Sequence, residues 1–118
     1  MNKTHSVKIL LVEDDDDLRE IISMHLKEIF NFDIDLATNG AQGIEKLKSE
    51  VNYELIISDY LMPIMYGKNV LEFNISQKNL PFIMMTATEV KSDEKLCRLE
   101  SFNPLNKLFM KPFSVEEF

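Results

Sequence analysis

Five short apolar runs, separated by more polar segments, organise the chain. They lie at residues 7–12, 32–37, 55–58, 82–85 and 108–110, and each has the length of a β-strand. The first, third and fourth are almost wholly apolar, which predicts strands buried on both faces. The second alternates apolar and acidic residues, as an edge strand with one solvated face does.

Segments with helical periodicity lie between these runs. The clearest places its least polar residues at the i, i+3, i+4 and i+7 spacing of one helix face. They are Leu18, Ile21, Ile22, His25, Leu26 and Ile29. Further helices are predicted at 41–49, 69–75 and 92–101, and another begins after Pro112. Strands alternating with helices predict an α/β fold, a doubly wound parallel sheet with helices on both faces.

Composition narrows the class of protein. With 118 residues and 45% hydrophobic content, the chain is expected to form one domain, 1–118, around one core. The net charge of −7 disfavours binding of nucleic acid or of an anionic membrane surface by this segment. The first apolar run is too short for a signal peptide or a membrane span, so a cytoplasmic protein is expected.

Polar residues stand where the predicted strands end, which is where open parallel sheets bind ligands. They are Glu13, Asp14 and Asp15 after the first strand, Asp59 after the third, Thr86 after the fourth and Lys111 after the fifth. Clustered carboxylates repel one another unless a cation is present, and oxygen ligands suit Mg²⁺, with Mn²⁺ possible. A hydroxyl and an ammonium group beside them suit a phosphoryl group, so phosphoryl transfer to a carboxylate is predicted.

Four segments, ILLVEDD, ISDYLMPIMYG, MMTA and MKPF, resemble in order and context the signature segments of receiver domains of two-component response regulators. The resemblance covers essentially the whole chain. It implies a flavodoxin-like fold with five parallel strands in the order 2-1-3-4-5. The family's fifth helix would be truncated here, since the sequence ends at Phe118.

The resemblance assigns the central roles to the acidic residues. Asp59 would be the phosphoacceptor, taking a phosphoryl group from the phosphohistidine of a histidine kinase or phosphotransfer protein. Asp14 and Asp59 would ligate Mg²⁺, together with the backbone carbonyl of Leu61, and Glu13 would act through water. Asp15 is a weaker candidate for a ligand.

The same resemblance assigns the phosphate contacts and the switch. Lys111 would pair with the phosphoryl oxygens, the Thr86 hydroxyl would turn towards them, and the Ala87 backbone N–H would assist. The Lys111–Pro112 peptide would be cis. Phosphorylation would then change which downstream protein, output domain or second copy of the chain binds the helix 4 and strand 5 face. Leu108 stands where the family usually has Tyr or Phe, which puts aromatic-coupled switching in question.

Simpler interpretations remain open for the individual residues. The acidic run up to Asp17 could cap a helix, Asp59 could cap a turn, and Thr86 could merely end its strand. His25 is expected to be a packing residue, and Met84 and Met85, with the chain's other methionines, to fill the core.

Two alternative functions also remain open. One is a phosphorylation-independent adaptor or dimerisation module. The other is a Mg²⁺-dependent phosphatase with an aspartyl-phosphate intermediate, which usually needs Asp-x-Asp where this chain has Leu61.

Overall fold

The computed structural model describes residues 7–60, 67–86 and 103–110, with only the backbone described at 109 and 110. The strands are β1 Lys8–Val12, β2 Asp33–Ala37, β3 Leu55–Asp59, β4 Phe82–Thr86 and β5 Lys107–Met110, and the helices are α1 Asp16–Phe30, α2 Gly40–Leu47 and α3 Gly67–Gln77. Each strand matches a predicted run to within one residue at either end. The helices predicted at 92–101 and after Pro112 lie outside the described residues.

All five strands are parallel and form one sheet in the order β2-β1-β3-β4-β5, which confirms the predicted topology. β2 lies at an edge, as its alternating pattern predicted. β1 and β3 are neighbours, so their carboxyl ends lie side by side. β4 follows on the other side of β3. This order brings the carboxyl ends of β1, β3 and β4 together at one end of the sheet.

The sheet carries a hydrophobic core on each face. Along β1, Leu10 and Val12 belong to one buried cluster, and Ile9 and Leu11 belong to the other. The first cluster includes residues of α2 and α3, and the second includes residues of α1. Successive side chains of a strand point to opposite faces, so a strand covered on both faces must be apolar throughout.

Two methionines confirm the same arrangement. Met84 and Met85 are fully buried in opposite core clusters, so they fill the core as predicted. The same expectation was wrong for Met24, which is 49% exposed on α1.

The predicted apolar face of α1 is only partly correct. Ile22 and Leu26 are buried against the sheet, and His25 is half-buried beside the ring of Phe30. Ile21, however, is 53% exposed because it lies about 100° around the helix from Ile22. Ile29 lies in the last turn and is also exposed. The buried face of α1 is therefore narrower than the sequence pattern indicated.

Two buried asparagines bind the backbone at the amino end of β4. The Asn74 side chain donates to the Leu80 carbonyl at 2.8 Å and accepts from the Leu80 N–H at 2.9 Å. The Asn106 side chain accepts from the Phe82 N–H at 2.7 Å. Both asparagines are almost completely inaccessible to solvent. These amino-end amides satisfy the backbone groups where β4 begins, at the end of the sheet opposite the acidic residues.

Candidate functional site

Three acidic side chains meet at the carboxyl end of the sheet. Each of Glu13, Asp14 and Asp59 offers one carboxylate oxygen, and these oxygens all lie within 4.8 Å of one another. Glu13 and Asp14 follow β1 directly, and Asp59 is the last residue of β3. The parallel pairing of β1 with β3 therefore assembles the cluster, as the sequence predicted.

The burial of this acidic cluster favours a bound cation. Glu13 is fully buried and Asp59 is 6% exposed, whereas Asp14 is exposed to solvent. Buried carboxylates that lie this close destabilise the fold unless their charge is compensated. Three carboxylates form an all-oxygen donor set of the kind that Mg²⁺ and Mn²⁺ prefer. The residues present fit a hard divalent cation.

The loop after β1 fixes the first of these acids. The Glu13 N–H donates to the Ala37 carbonyl of β2 at 3.0 Å, and a Glu13 carboxylate oxygen accepts from the Asp15 N–H at 3.1 Å. The Asp15 carboxylate in turn caps α1, accepting from the N–H groups of Asp17 and Leu18. The acidic run is thus divided between two tasks: Asp15 caps the helix, and the two residues before it form the cluster.

Arg19 contacts this loop in a way the sequence analysis did not identify. One guanidinium nitrogen donates to the backbone carbonyl of Glu13 at 2.8 Å, and another forms an ion pair with Asp16. The ion pair could have been predicted, because Asp16 and Arg19 stand three residues apart on one helix. No residue pattern signals the contact with a backbone carbonyl.

Asp59 is held by the backbone of the residue that follows it. The Tyr60 N–H donates to a carboxylate oxygen of Asp59 at 3.0 Å and to the Met85 carbonyl of β4 at 2.7 Å. The Tyr60 carbonyl accepts from the N–H of Gly67 at 2.8 Å. A Cβ atom on Gly67 would lie 2.0 Å from the Asp59 carbonyl oxygen, so the start of α3 can approach Asp59 only with glycine at this position.

Thr86 ends β4 beside the cluster and is 1% exposed. Asp59 pairs with Met85 in the sheet register, so Thr86 lies one residue further towards the carboxyl end. Thr86 pairs in turn with Met110, the residue before Lys111 in the sequence. Lys111 itself, Leu61, Ala87 and the Lys111–Pro112 peptide lie outside the described residues, so their assigned roles remain predictions.

A second polar network lies away from the acidic cluster, on strands β1 and β2. The Lys8 ammonium pairs with Asp33 at 2.9 Å and with Asp35 at 3.3 Å, and the Tyr53 hydroxyl donates to Asp35 at 2.7 Å. Burial acts to raise the pKa of Asp35, but hydrogen bonds from Tyr53 and Lys8 outweigh it, so the pKa lies below its usual value. Burial, followed by the hydrogen bond to Asp35, raises the pKa of Tyr53. The network stabilises the edge strand rather than the candidate site.

Comparison with known proteins gives a consistent result. A family model described as the response regulator receiver domain matches residues 9–118. The chain is 36% identical to the transcriptional regulatory protein ResD of Bacillus subtilis, over 99% of the chain and 47% of that protein. It is also 36% identical to the transcriptional regulatory protein SrrA of Staphylococcus aureus, over 95% of the chain and 44% of that protein. The chain therefore spans less than half the length of these curated relatives.

Solved structures extend the comparison to the fold. The non-phosphorylated receiver domain of HemR from Leptospira biflexa superposes with a TM-score of 0.79 and 29% identity, covering 96% of this chain and 88% of that one. The response regulator TrrA from Thermotoga maritima, in complex with Mg²⁺-BeF, gives a TM-score of 0.73 and 29% identity, covering 94% of this chain and 91% of that one.

Within the described residues, no helix is both long and apolar enough to cross a membrane.

Proposed function

Because this chain belongs to the family of response regulator receiver domains, we propose that it accepts a phosphoryl group on Asp59 from the phosphohistidine of a histidine kinase or phosphotransfer protein. Receiver domains are the signalling switches of two-component systems. The observation that carries the proposal is the cluster of Glu13, Asp14 and Asp59, whose oxygens lie within 4.8 Å of one another at the carboxyl end of the sheet.

The acidic cluster would hold Mg²⁺ through Asp14 and Asp59, with Glu13 acting through water and the Leu61 backbone carbonyl as a further ligand. When bound, the ion would offset negative charge on the phosphoryl group during its transfer. This assignment is supported by the all-oxygen donor set and by the burial of two of its three carboxylates.

Asp59 would act as the nucleophile. A carboxylate oxygen attacks phosphorus, a P–O bond forms, the P–N bond to the donor histidine breaks, and the imidazole leaves with the bonding electron pair. The Tyr60 N–H restrains the carboxylate through one of its oxygens, which limits its rotation before attack. Because Asp59 is 6% exposed, little bulk water reaches it. Lys111 would balance the charge of the product.

The readout would run through Thr86 and the face formed by helix 4 and strand 5. Leu108 is half-buried and packs against the core cluster that contains Met84, its register partner on β4. A leucine packed in this way supports a readout that depends on Thr86 rather than on rotation of an aromatic ring at Leu108.

Several wider assignments belong to the same proposal. We propose that residues 1–118 form one domain and that it lies in the cytoplasm. This domain would control a downstream protein or an output domain. Formation of a homodimer would be one form of that control. The relatives are transcriptional regulatory proteins, which supports an output of this kind.

The phosphoacceptor can be tested with acetyl phosphate and Mg²⁺, followed by intact-protein mass spectrometry. The wild-type chain should gain one phosphoryl group, and Asp59→Asn should gain none. Asp33→Asn is the matched control, since Asp33 is an exposed acid at the amino end of β2. Equal modification of wild type and Asp59→Asn would refute the assignment of Asp59.

The readout is tested separately by NMR. Addition of beryllofluoride with Mg²⁺ should shift the backbone amide signals of Thr86 and of β5 in the wild type and not in Asp59→Asn. If the β5 signals do not move although the ligand binds, the phosphorylation-independent adaptor becomes the better description.

A further inference from the structure

We propose that Arg19 is a positioning residue that holds Glu13 in the orientation needed for the cation. The proposal rests on the proposed function of the acidic cluster and adds a residue outside it. Among the described residues, Arg19 forms no hydrogen bond or ion pair with Asp14 or Asp59. Its guanidinium instead donates to the backbone carbonyl of Glu13 at 2.8 Å.

The contact completes a set of restraints on Glu13. Its N–H is bonded to the Ala37 carbonyl of β2, and one of its carboxylate oxygens accepts from the Asp15 N–H. Arg19 binds the remaining backbone group, the carbonyl, from the first turns of α1. Glu13 is thereby tied to a strand, to its own loop and to a helix. A fully buried carboxylate held in this way is preorganised for a ligand.

The pairing of Arg19 with Asp16 explains how a cation can stand so near a metal site. An uncompensated guanidinium would repel a divalent ion, and such repulsion is only partly screened within a Debye length of roughly 8 to 10 Å. Asp16 neutralises the guanidinium through a second nitrogen. Arginine suits both contacts because its planar fork can reach a carbonyl and a carboxylate at once, whereas a lysine offers a single ammonium group.

Isothermal titration calorimetry of the whole chain with Mg²⁺, and separately with Mn²⁺, tests the proposal. Loss of a contact that orients a metal ligand typically weakens metal binding by about 10- to 100-fold. Because Glu13 would reach the ion through water, Arg19→Gln should raise the Kd for Mg²⁺ by about tenfold, the lower end of that range, and Arg19→Lys by a smaller factor. Asp16→Asn should bind Mg²⁺ more weakly than wild type at low salt, and the difference between the two should shrink at high salt, because screening then reduces the repulsion between the guanidinium and the ion.

Two controls separate positioning from stability. Lys27→Gln removes an exposed cation from the last turn of α1 and should leave the Kd unchanged. Thermal unfolding of each variant without metal measures any structural effect independently. If Arg19→Gln is too unstable to titrate, Arg19→Lys retains the charge and must still bind Mg²⁺ more weakly than wild type.

The outcomes distinguish this inference from the function on which it rests. If the wild type binds Mg²⁺ and both Arg19 variants match its affinity, Arg19 is merely structural and the inference is overturned, while the proposed function stands. If the wild type binds neither ion, the proposed metal site fails and the role of Arg19 fails with it. Weaker binding by the Arg19 variants, with Lys27→Gln unchanged, supports the inference.

Discussion

Replacement of Gly67 by alanine should damage both the stability of the domain and the chemistry of Asp59. The added Cβ would lie 2.0 Å from the Asp59 carbonyl oxygen and 2.9 Å from the Tyr60 Cα atom, whereas ordinary contacts begin at 3.4 Å. The obstructing atoms belong to the backbone, so no change of rotamer relieves the clash. Either α3 or the end of β3 must move by about 1 to 1.4 Å to restore a tolerable separation.

The free-energy cost follows from two contributions. Overpacking of a rigid site costs roughly 1–3 kcal/mol, and weakening of the hydrogen bond from Gly67 to Tyr60 adds about 0.5–1.5 kcal/mol. Gly67→Ala should therefore lower the free energy of unfolding by about 2–4 kcal/mol. At roughly 4 °C per kcal/mol, the expected fall in Tm is about 8–16 °C.

Gly43→Ala provides a matched control at another buried helical glycine. There the nearest obstructing atom is a methyl carbon of the buried Val12 side chain, at 2.9 Å, which is a smaller overlap than the 2.0 Å contact at Gly67. Alanine also gains about 1 kcal/mol of helix propensity at this interior position of α2. The gain in propensity offsets part of the cost of the overlap, so Gly43→Ala should lower the free energy of unfolding by about 0–2 kcal/mol, less than Gly67→Ala.

Urea unfolding and the rate of phosphorylation by acetyl phosphate measure the two consequences. A displacement of about 1 Å at a reacting group can slow a reaction by as much as about 100-fold, so Gly67→Ala should be phosphorylated at least about tenfold more slowly. Gly43→Ala should react at the wild-type rate. The reasoning is wrong if Gly67→Ala proves as stable and as reactive as Gly43→Ala.

Three further predictions follow from the other networks. Asp14→Asn should raise Tm in metal-free buffer, because it relieves repulsion between the carboxylates. It should also reduce the rise in Tm that Mg²⁺ produces. A metal-free Tm below that of wild type would contradict this prediction. The pKa of Asp35 is lower in the folded state than its unfolded value of 3.8. Its contribution to the free energy of unfolding is therefore complete above pH 3.8 and is lost as the pH falls through the folded pKa. Asp35→Asn should therefore lower stability at neutral pH and flatten its decline in acid, as urea unfolding across that range would show, and an unchanged acid decline would count against the network. Asn74→Ala should lower the free energy of unfolding by about 2–4 kcal/mol, because it removes two buried hydrogen bonds and leaves the Leu80 backbone groups unsatisfied. Asn52→Ala, at an exposed asparagine, is the control. Equal urea midpoints for the two variants would disprove the prediction.

The fold could be predicted well because its inner strands are buried on both faces. A strand such as β1 needs an apolar residue at nearly every position, and this produces the continuous runs seen in the sequence. The pairing order of the strands came from the family resemblance, since a local pattern does not specify which strands are neighbours. The length of α3 was underestimated: the sequence predicted residues 69–75, and the helix spans Gly67–Gln77. Its terminal residues carry no apolar periodicity that would have indicated them.

The candidate site was predictable to a different degree for each of its parts. Glu13, Asp14 and Asp59 were found because carboxyl ends of parallel strands converge, a rule that needs only strand boundaries. Arg19 was missed because it binds a backbone carbonyl, which any residue type could supply. Asn74 and Asn106 were missed for the same reason, since both serve backbone groups.

The amino-end amides have a consequence for how variants of this domain can be combined. A five-residue strand such as β4 is about 13 Å long between its terminal Cα atoms, so the start of β4 is separated from the acidic cluster by more than the 7–10 Å beyond which mutational effects usually add. Substitutions at Asn74 and Asn106 should therefore change the stability of the domain without changing the chemistry at Asp59. Their costs should add to the cost of a destabilising change near Asp59.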